Sequence, residues 1–350
     1  MKAVVLVGGF GTRLRPLTHQ IPKQMLSVAG DTMLERVVRR LKSFGVTEVV
    51  LSLGYRPDVF LAAFPNGKVA GVPVSYAVEN EPLDTAGAIK FAAAEGGIDS
   101  TFLVVNGDVI CDFDIRQLLD SHSRNRGKAT IALVSVDDPS AFGVVPTDEE
   151  GRVLAFIEKP KREEAPTNYI NAGIYVLEPE ALDSVTVGQK VSIERIVFPT
   201  LVEAGELFAE HFDGYWVDAG TIENFFRVSQ DFRFRMVSEF FVQDDLVGRI
   251  PQNYQVIGDS LISTSARVAP DAIVNRSVIG ANVVVERGAH IEHSIIMDEA
   301  IIAKFARVSE SIIGCEVEVP SEAIVEDRSV LASGCDLSSG ERLSGQKIPN

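Results

Sequence analysis

The sequence predicts an α/β protein in two parts: a Rossmann-like, mixed but mostly parallel sheet domain, followed by a parallel β-helix. Three observations carry this expectation. Residues 1–235 alternate apolar runs with amphipathic segments. Residues 258–350 repeat an aliphatic side chain at intervals of five or six. A glycine-rich, basic segment follows the first apolar run directly. Residues 236–257 connect the two parts, and Pro251-Gln252-Asn253 marks a loop there.

In the first part, Val4 to Val7 is a continuous apolar run ending in Gly8-Gly9, as a buried parallel strand would be. Thr32-Met33-Leu34-Glu35 has the spacing of a capping box and opens a helix through Phe44 that stops at Gly45. Val49 to Leu53 is the next strand. Asp84 to Ala94 reads as a helix, Phe102 to Asn106 as a strand, Ile115 to Ser123 as a helix and Thr130 to Val136 as a strand. Such alternation gives a mostly parallel sheet covered by helices, with ligands beyond the carboxyl ends of the strands.

In the second part periodicity decides. Ile262, Val268, Val274, Ile279, Val285, Ile291, Ile296, Ile302, Val308, Ile313, Val319, Val325, Leu331, Leu337 and Leu343 recur at steps of six, six and five, with a final full hexad. Ser260, Ser277, Ser294, Ser311 and Ser329 form a second register, each two residues before a coil's first aliphatic. Neither a helix nor a hairpin strand has this period. About 17 or 18 residues per turn of chain is the mark of a three-sided β-helix with one inward aliphatic per side, here over about five coils.

Composition narrows the function. With 46% hydrophobic and 23% charged residues the chain is an ordinary globular protein. A net charge of −16 disfavours nucleic acid and anionic membranes as partners, so cations that hold phosphate must be local. The cysteines, Cys111, Cys315 and Cys335, lack metal-like spacing and read as reduced. The first apolar run is too short for a signal peptide, and no segment approaches the roughly 18 apolar residues of a membrane span, so a cytoplasmic protein is expected.

The segment Leu6 to Val28 reads LVGGFGTRLRPLTHQIPKQMLSV. Its glycines let backbone N–H groups approach phosphate closely, Arg13 offers a planar fork and Lys23 a point charge. No Gly-Lys-Ser/Thr closes it as in a Walker loop, and Leu14 stands where a dinucleotide fingerprint has its third glycine.

Gly8 to Lys23 resembles, in order and spacing, the signature loop of the nucleotide-sugar pyrophosphorylases, G-G-x-G-T-R-L-x-P-L-T-x-x-x-P-K. The resemblance continues through Glu81-Pro82-Leu83, Asn106-Gly107-Asp108, Phe142-Gly143-Val144-Val145, Glu158-Lys159-Pro160, Asn171-Ala172-Gly173 and Trp216-Val217-Asp218-Ala219-Gly220. It implies a left-handed β-helix tail. It implies that Gly8, Gly9, Gly11 and Thr12 wrap the nucleotide, with Glu79, Pro82, Asp84 and Thr85 near the base. Arg13 would hold the triphosphate, Lys23 would contact phosphate at the reacting centre, and Asp108 with Asp218 would hold Mg²⁺. Glu158 and Asn171 would bind sugar hydroxyls, Lys159 the sugar phosphate, and Gly143 and Gly173 would line the sugar pocket.

The overall pattern is most similar to the guanylyl branch, which implies GTP and mannose 1-phosphate as substrates. A uridylyl or thymidylyl transfer to glucose 1-phosphate is the alternative, and a non-catalytic regulatory homologue is a reading of another class. An acyltransferase role for the β-helix would need a catalytic histidine. His290 and His293 read instead as surface residues. The family usually has glycine where Asp84 stands; a helix N-cap and a reader of the guanine N–H edge both suit that aspartate. Exposed rungs at the ends of a β-helix favour self-association, so a homo-oligomer is expected.

Overall fold

The computed structural model describes residues 1–54, 56–237 and 253–349. The chain forms two compact units: residues 1–9 with 37–217, and residues 10–36 with 218–350. The join expected at 236–257 lies largely outside the described residues.

The first unit is built on a mixed sheet. Strands β1 (Lys2–Leu6), β2 (Glu48–Leu53), β3 (Val72–Val78) and β4 (Phe102–Asn106) are parallel, in the order β3-β2-β1-β4. Beyond β4 the sheet continues through β5 (Ala129–Ser135), β6 (Tyr169–Leu177) and β7 (Leu207–Phe212). Of these, β6 alone runs backwards: it is antiparallel to both β4 and β5, and β7 lies parallel to β5. Val4, Val5, Leu51, Val104 and Leu133 are fully buried, as continuous apolar runs in a covered sheet must be.

Helices α1 (Met33–Ser43), α2 (Pro57–Ala63), α3 (Asp84–Glu95), α4 (Ile115–Asn125) and α5 (Phe198–Glu203) follow the chain order, and α6 (Ile222–Val237) belongs to the second unit. The capping box before α1 is reciprocal. Glu35 N donates to Thr32 Oγ1 at 3.1 Å and Thr32 N donates to Glu35 Oε2 at 2.9 Å. At the helix end Gly45 takes a left-handed φ of 85°. Strand β5 begins one residue before the expected Thr130.

In the second unit every aliphatic of the expected register packs into one continuous core. Three parallel ladders form it, advancing by one coil at each step: Leu261↔Val278, Val278↔Ile295 and Ile295↔Ile312 on one face, with equivalent pairings on the other two. A short strand, Tyr254–Ile257, pairs antiparallel with Ser260–Ser263 at the start.

The serine register has a physical cause. Ser260, Ser277, Ser294, Ser311 and Ser329 are all fully buried. Ser277 Oγ donates to the Asn275 carbonyl oxygen of its own coil at 2.7 Å and accepts from Ser294 N of the next at 3.1 Å. Ser294 Oγ repeats this with Glu292 O and Ser311 N. A buried hydroxyl satisfied at both ends stitches coil to coil without leaving a polar group stranded. Ser277, Ser294, Ser311 and Ser329 each follow a left-handed residue, Arg276, His293, Glu310 and Arg328.

One face of the β-helix carries aliphatics on its outside as well. Ile312 is 1% exposed there, whereas Ile273 on another face is 54% exposed. Helix α6 packs against the first strands of the doubly apolar face, so the outer residues of Val278-Ile279 and its neighbours are core too. His293 is not a solvated surface residue as expected: its ring meets Phe226 of α6 edge-on at 5.2 Å.

Candidate active site

The carboxyl ends of the central strands of the first unit converge. Val7 N donates to Ser52 O and Gly107 N to Leu6 O, each at 3.0 Å, which places Gly8-Gly9, Gly54 and Asp108 at one sheet edge. A side chain at Gly8 would press on Gly54 N at 3.3 Å. Asp108 is 7% exposed, a low value for a carboxylate.

Glu79 ends β3's run into that edge. Its Oε1 accepts from Ser52 Oγ at 3.0 Å and its Oε2 from Leu83 N at 2.9 Å. One oxygen thus ties Glu79 to β2 and the other holds the Pro82–Asp84 turn, an orientation that the sequence did not foretell. Asp84 has φ 59°, a left-handed conformation that explains why glycine suits this position. Its carboxylate accepts from the very next N–H, Thr85 at 2.9 Å, and not from the second or third helical N–H as an N-cap would. The Thr85 hydroxyl donates to Glu194 Oε2 at 2.7 Å and accepts from Ile193 N at 2.8 Å. Its proton is therefore spent on the segment before α5.

A second cluster gathers around β6. Gly143 pairs with Glu158 in an antiparallel ladder, and a Cβ at Gly143 would lie 3.3 Å from Glu158 Oε2 and 2.5 Å from the Phe156 ring. Lys159 has a left-handed φ of 50°, is exposed, and sets its Nζ 3.2 Å from Glu158 Oε1. The β5–β6 register shifts between Asn171 and Tyr175. Inside that bulge Gly173 has φ 75°, and a Cβ there would meet Asn106 Nδ2 at 2.5 Å. Asn171 Oδ1 accepts from Gly173 N at 2.9 Å and its Nδ2 donates to Tyr175 Oη at 2.8 Å. Trp216 Nε1 donates to Ala172 O at 3.0 Å, and Phe142 stands edge-on to Trp216. Gly143, Glu158, Lys159, Asn171 and Gly173 therefore meet within one unit. Tyr175 and Glu194 are supporting residues outside the quoted motifs, and Asn106 and Trp216 are motif residues to which the sequence assigned no role. Only the bonds of Tyr175 to Asn171 and of Glu194 to Thr85 reveal the first two.

In the second unit the glycine-rich segment is a chain of tight turns. Gly11, at φ 63°, opens a short 3₁₀ turn over Thr12–Leu14. A Cβ on it would lie 3.2 Å from Thr18 and 3.3 Å from Lys23, so the loop closes back on itself there. Thr18 Oγ1 donates to Gly11 O at 2.7 Å. The Arg15–Pro16 peptide is cis. Lys23 starts a second 3₁₀ turn behind Pro22. Arg13 is mostly exposed, and its guanidinium lies 3.8 Å from Asp218 Oδ2. Asp218 is itself fixed: Oδ1 accepts from Gly220 N at 2.8 Å, and Asn224 Nδ2, from the first turn of α6, donates to its carbonyl oxygen at 2.7 Å. The far end of the segment is anchored by Arg36. Its Nε donates to Val28 O at 2.8 Å, and its guanidinium lies 4.1 Å over the Phe232 ring of α6.

The family model described as nucleotidyl transferase matches residues 2–233. The chain belongs to the nucleotidyl transferase family. A second model, described as the GMPPB C-terminal domain, matches residues 256–349. The nucleotidyl transferase chain is 41% identical to mannose-1-phosphate guanylyltransferase of Mycobacterium tuberculosis, over 83% of this chain and 82% of that protein. It is 35% identical to probable mannose-1-phosphate guanylyltransferase 2 of Arabidopsis thaliana, over 96% of this chain and 93% of that one. Among solved structures, HddC of Yersinia pseudotuberculosis is 30% identical with a TM-score of 0.58, covering 66% of this chain and 99% of its own. Among the described residues no helix is long and apolar enough to cross a membrane.

Proposed function

We propose that this nucleotidyltransferase makes GDP-mannose and pyrophosphate from GTP and mannose 1-phosphate. The observation that carries this is likeness along nearly the whole chain, β-helix included, to proteins named for that reaction. The chemistry fits the residues present. A phosphate oxygen of the sugar attacks the α-phosphorus in line; the new P–O bond forms as the bond to the β-phosphate bridge breaks. The nucleophile is already an anion, so no general base is needed. Catalysis is then positioning and neutralisation of crowded charge.

In this reading the Gly8–Thr12 backbone cradles the phosphates, while Arg13 and Lys23 neutralise them. Glu158 and Asn171 take sugar hydroxyls between Gly143 and Gly173, and Lys159 takes the sugar phosphate. Asp84, exposed on its left-handed turn, is the candidate base reader. Asp108 and Asp218 would hold Mg²⁺. Among the described residues no set of three or more His, Cys, Asp or Glu could cage a metal. Two carboxylates completed by substrate oxygens are the donor set that Mg²⁺ accepts, and a bound Mg²⁺ would draw charge off the phosphates. The same reading carries a cytoplasmic setting and self-association through the β-helix.

The test is pyrophosphate release across GTP, UTP, dTTP, ATP and CTP, each with mannose 1-phosphate or glucose 1-phosphate, with Mg²⁺ and with EDTA. GTP with mannose 1-phosphate is expected to win by about 100-fold, or about 2.7 kcal/mol, and EDTA to abolish turnover. A different winning pair would overturn the named substrates. Nucleotide-sugar binding without turnover would point to the regulatory homologue.

A further inference from the structure

We propose that Tyr175 is a positioning residue for sugar recognition: it pins the Asn171 amide so that Asn171 offers the sugar an N–H donor. The inference rests on the reading of Asn171 as a sugar ligand. It starts from a contact that a regular strand could not make. Residues four apart on an ideal strand are separated by about 13 Å. Asn171 Nδ2 nevertheless reaches Tyr175 Oη at 2.8 Å, because the bulge at Gly173 shortens and turns the strand between them.

The hydrogen-bond roles are forced. Gly173 N–H can only donate, so it faces Oδ1 of Asn171. The amide nitrogen must then face Tyr175, whose phenol oxygen accepts. An amide held at both ends has one N–H left, and a sugar hydroxyl at that point must accept it. Without the phenol, the Gly173 bond alone would leave the amide free to swing about one contact.

The phenol is built to hold this role. Tyr175 is 1% exposed, and its ring packs edge-on against Phe198 at 5.2 Å. Phe198 in turn packs on Phe156, the ring beneath Gly143. Burial pushes the phenol's pKa well above its ordinary value, with Glu194 adding to the rise, so the group stays neutral and its hydrogen-bond role does not change over the working range. Removing the hydroxyl leaves the ring and its packing in place.

The experiment is a double-mutant cycle with Tyr175→Phe and Asn171→Ala, read as separate KM values for mannose 1-phosphate and GTP together with the thermal midpoint. Tyr175→Phe is expected to raise the sugar-phosphate KM about tenfold, the scale of one hydrogen bond. The GTP KM should stay within about twofold, the midpoint within a few degrees, and the KM effect constant from about pH 6 to 9. In the Asn171→Ala background, Tyr175→Phe should add nothing. An unchanged KM in Tyr175→Phe, beside a raised one in Asn171→Ala, overturns the proposal and leaves the sugar-site reading intact. An unchanged KM in Asn171→Ala removes that reading and the proposal with it. Equal effects of Tyr175→Phe in both backgrounds, or parallel rises in both KM values with a lowered midpoint, assign Tyr175 a general structural role and also overturn the proposal.

Discussion

The β-helix and the cluster around β6 solve opposite problems with the same materials. In the β-helix each residue repeats the work of one a coil earlier: Ile279, Ile296 and Ile313 fill one column, and Ser277, Ser294 and Ser311 pass one hydrogen bond along another. Stability is spread over many equal contacts. Around β6 nothing repeats. Asn106, Gly143, Glu158 and Asn171 come from four separate strands or loops, and each has its own geometry and partner. The comparison teaches that substitutions in the first region should cost stability in similar portions, while substitutions at the reacting centre should cost activity and little else.

The sharpest way to break that contrast is Arg13→Ala. This exposed side chain makes one long ion pair, so the thermal midpoint should stay within a few degrees. Steady-state pyrophosphate release should fall about 100- to 1,000-fold, the scale for losing one preorganised charge partner. A large drop in midpoint would show that the loop also carries stability. Next is Ile302→Ala, a fully buried rung. Denaturant unfolding should show a loss of about 2–5 kcal/mol with kcat near wild type.

Ser294→Ala sharpens the account of the ladder. It strips Ser311 N of its acceptor and leaves Glu292 O without its hydroxyl donor, at a cost of about 1–3 kcal/mol. Equal losses at Ser277 and Ser294 would fit a repeat, whereas a tenfold difference in their unfolding constants would not. The smallest effect is expected at Asp84. Asp84→Ala should raise the KM for GTP a few-fold, about 0.5–1 kcal/mol, and narrow the preference for GTP over ATP. An unchanged preference would assign Asp84 to its turn alone.

The β-helix was readable because its signal is local and repeated. A missing aliphatic at any one step would still have left the period visible. The outer apolar face was present in the sequence too, as the doublets Val278-Ile279, Ile295-Ile296 and Ile312-Ile313, and the packing of α6 explains the first of them. The active-site motifs were readable by resemblance, residue by residue. What they touch was not. Glu79 as a two-ended tie, Thr85 spent on Glu194, and the bulge joining Asn171 to Tyr175 depend on chain segments far apart in sequence. Asp84 is the instructive case: aspartate before a helix suggested a cap, but a left-handed φ put its carboxylate against the adjacent N–H.

The central claim is direct attack on the α-phosphorus by the sugar phosphate, with the protein supplying position and charge and no covalent link. The stereochemistry at that phosphorus tests it most directly. GTP carrying a single-isomer sulfur at the α-phosphate should give GDP-mannose with inverted configuration, the result of one in-line displacement. Retention would require two displacements through a nucleotidyl-enzyme and would contradict the account.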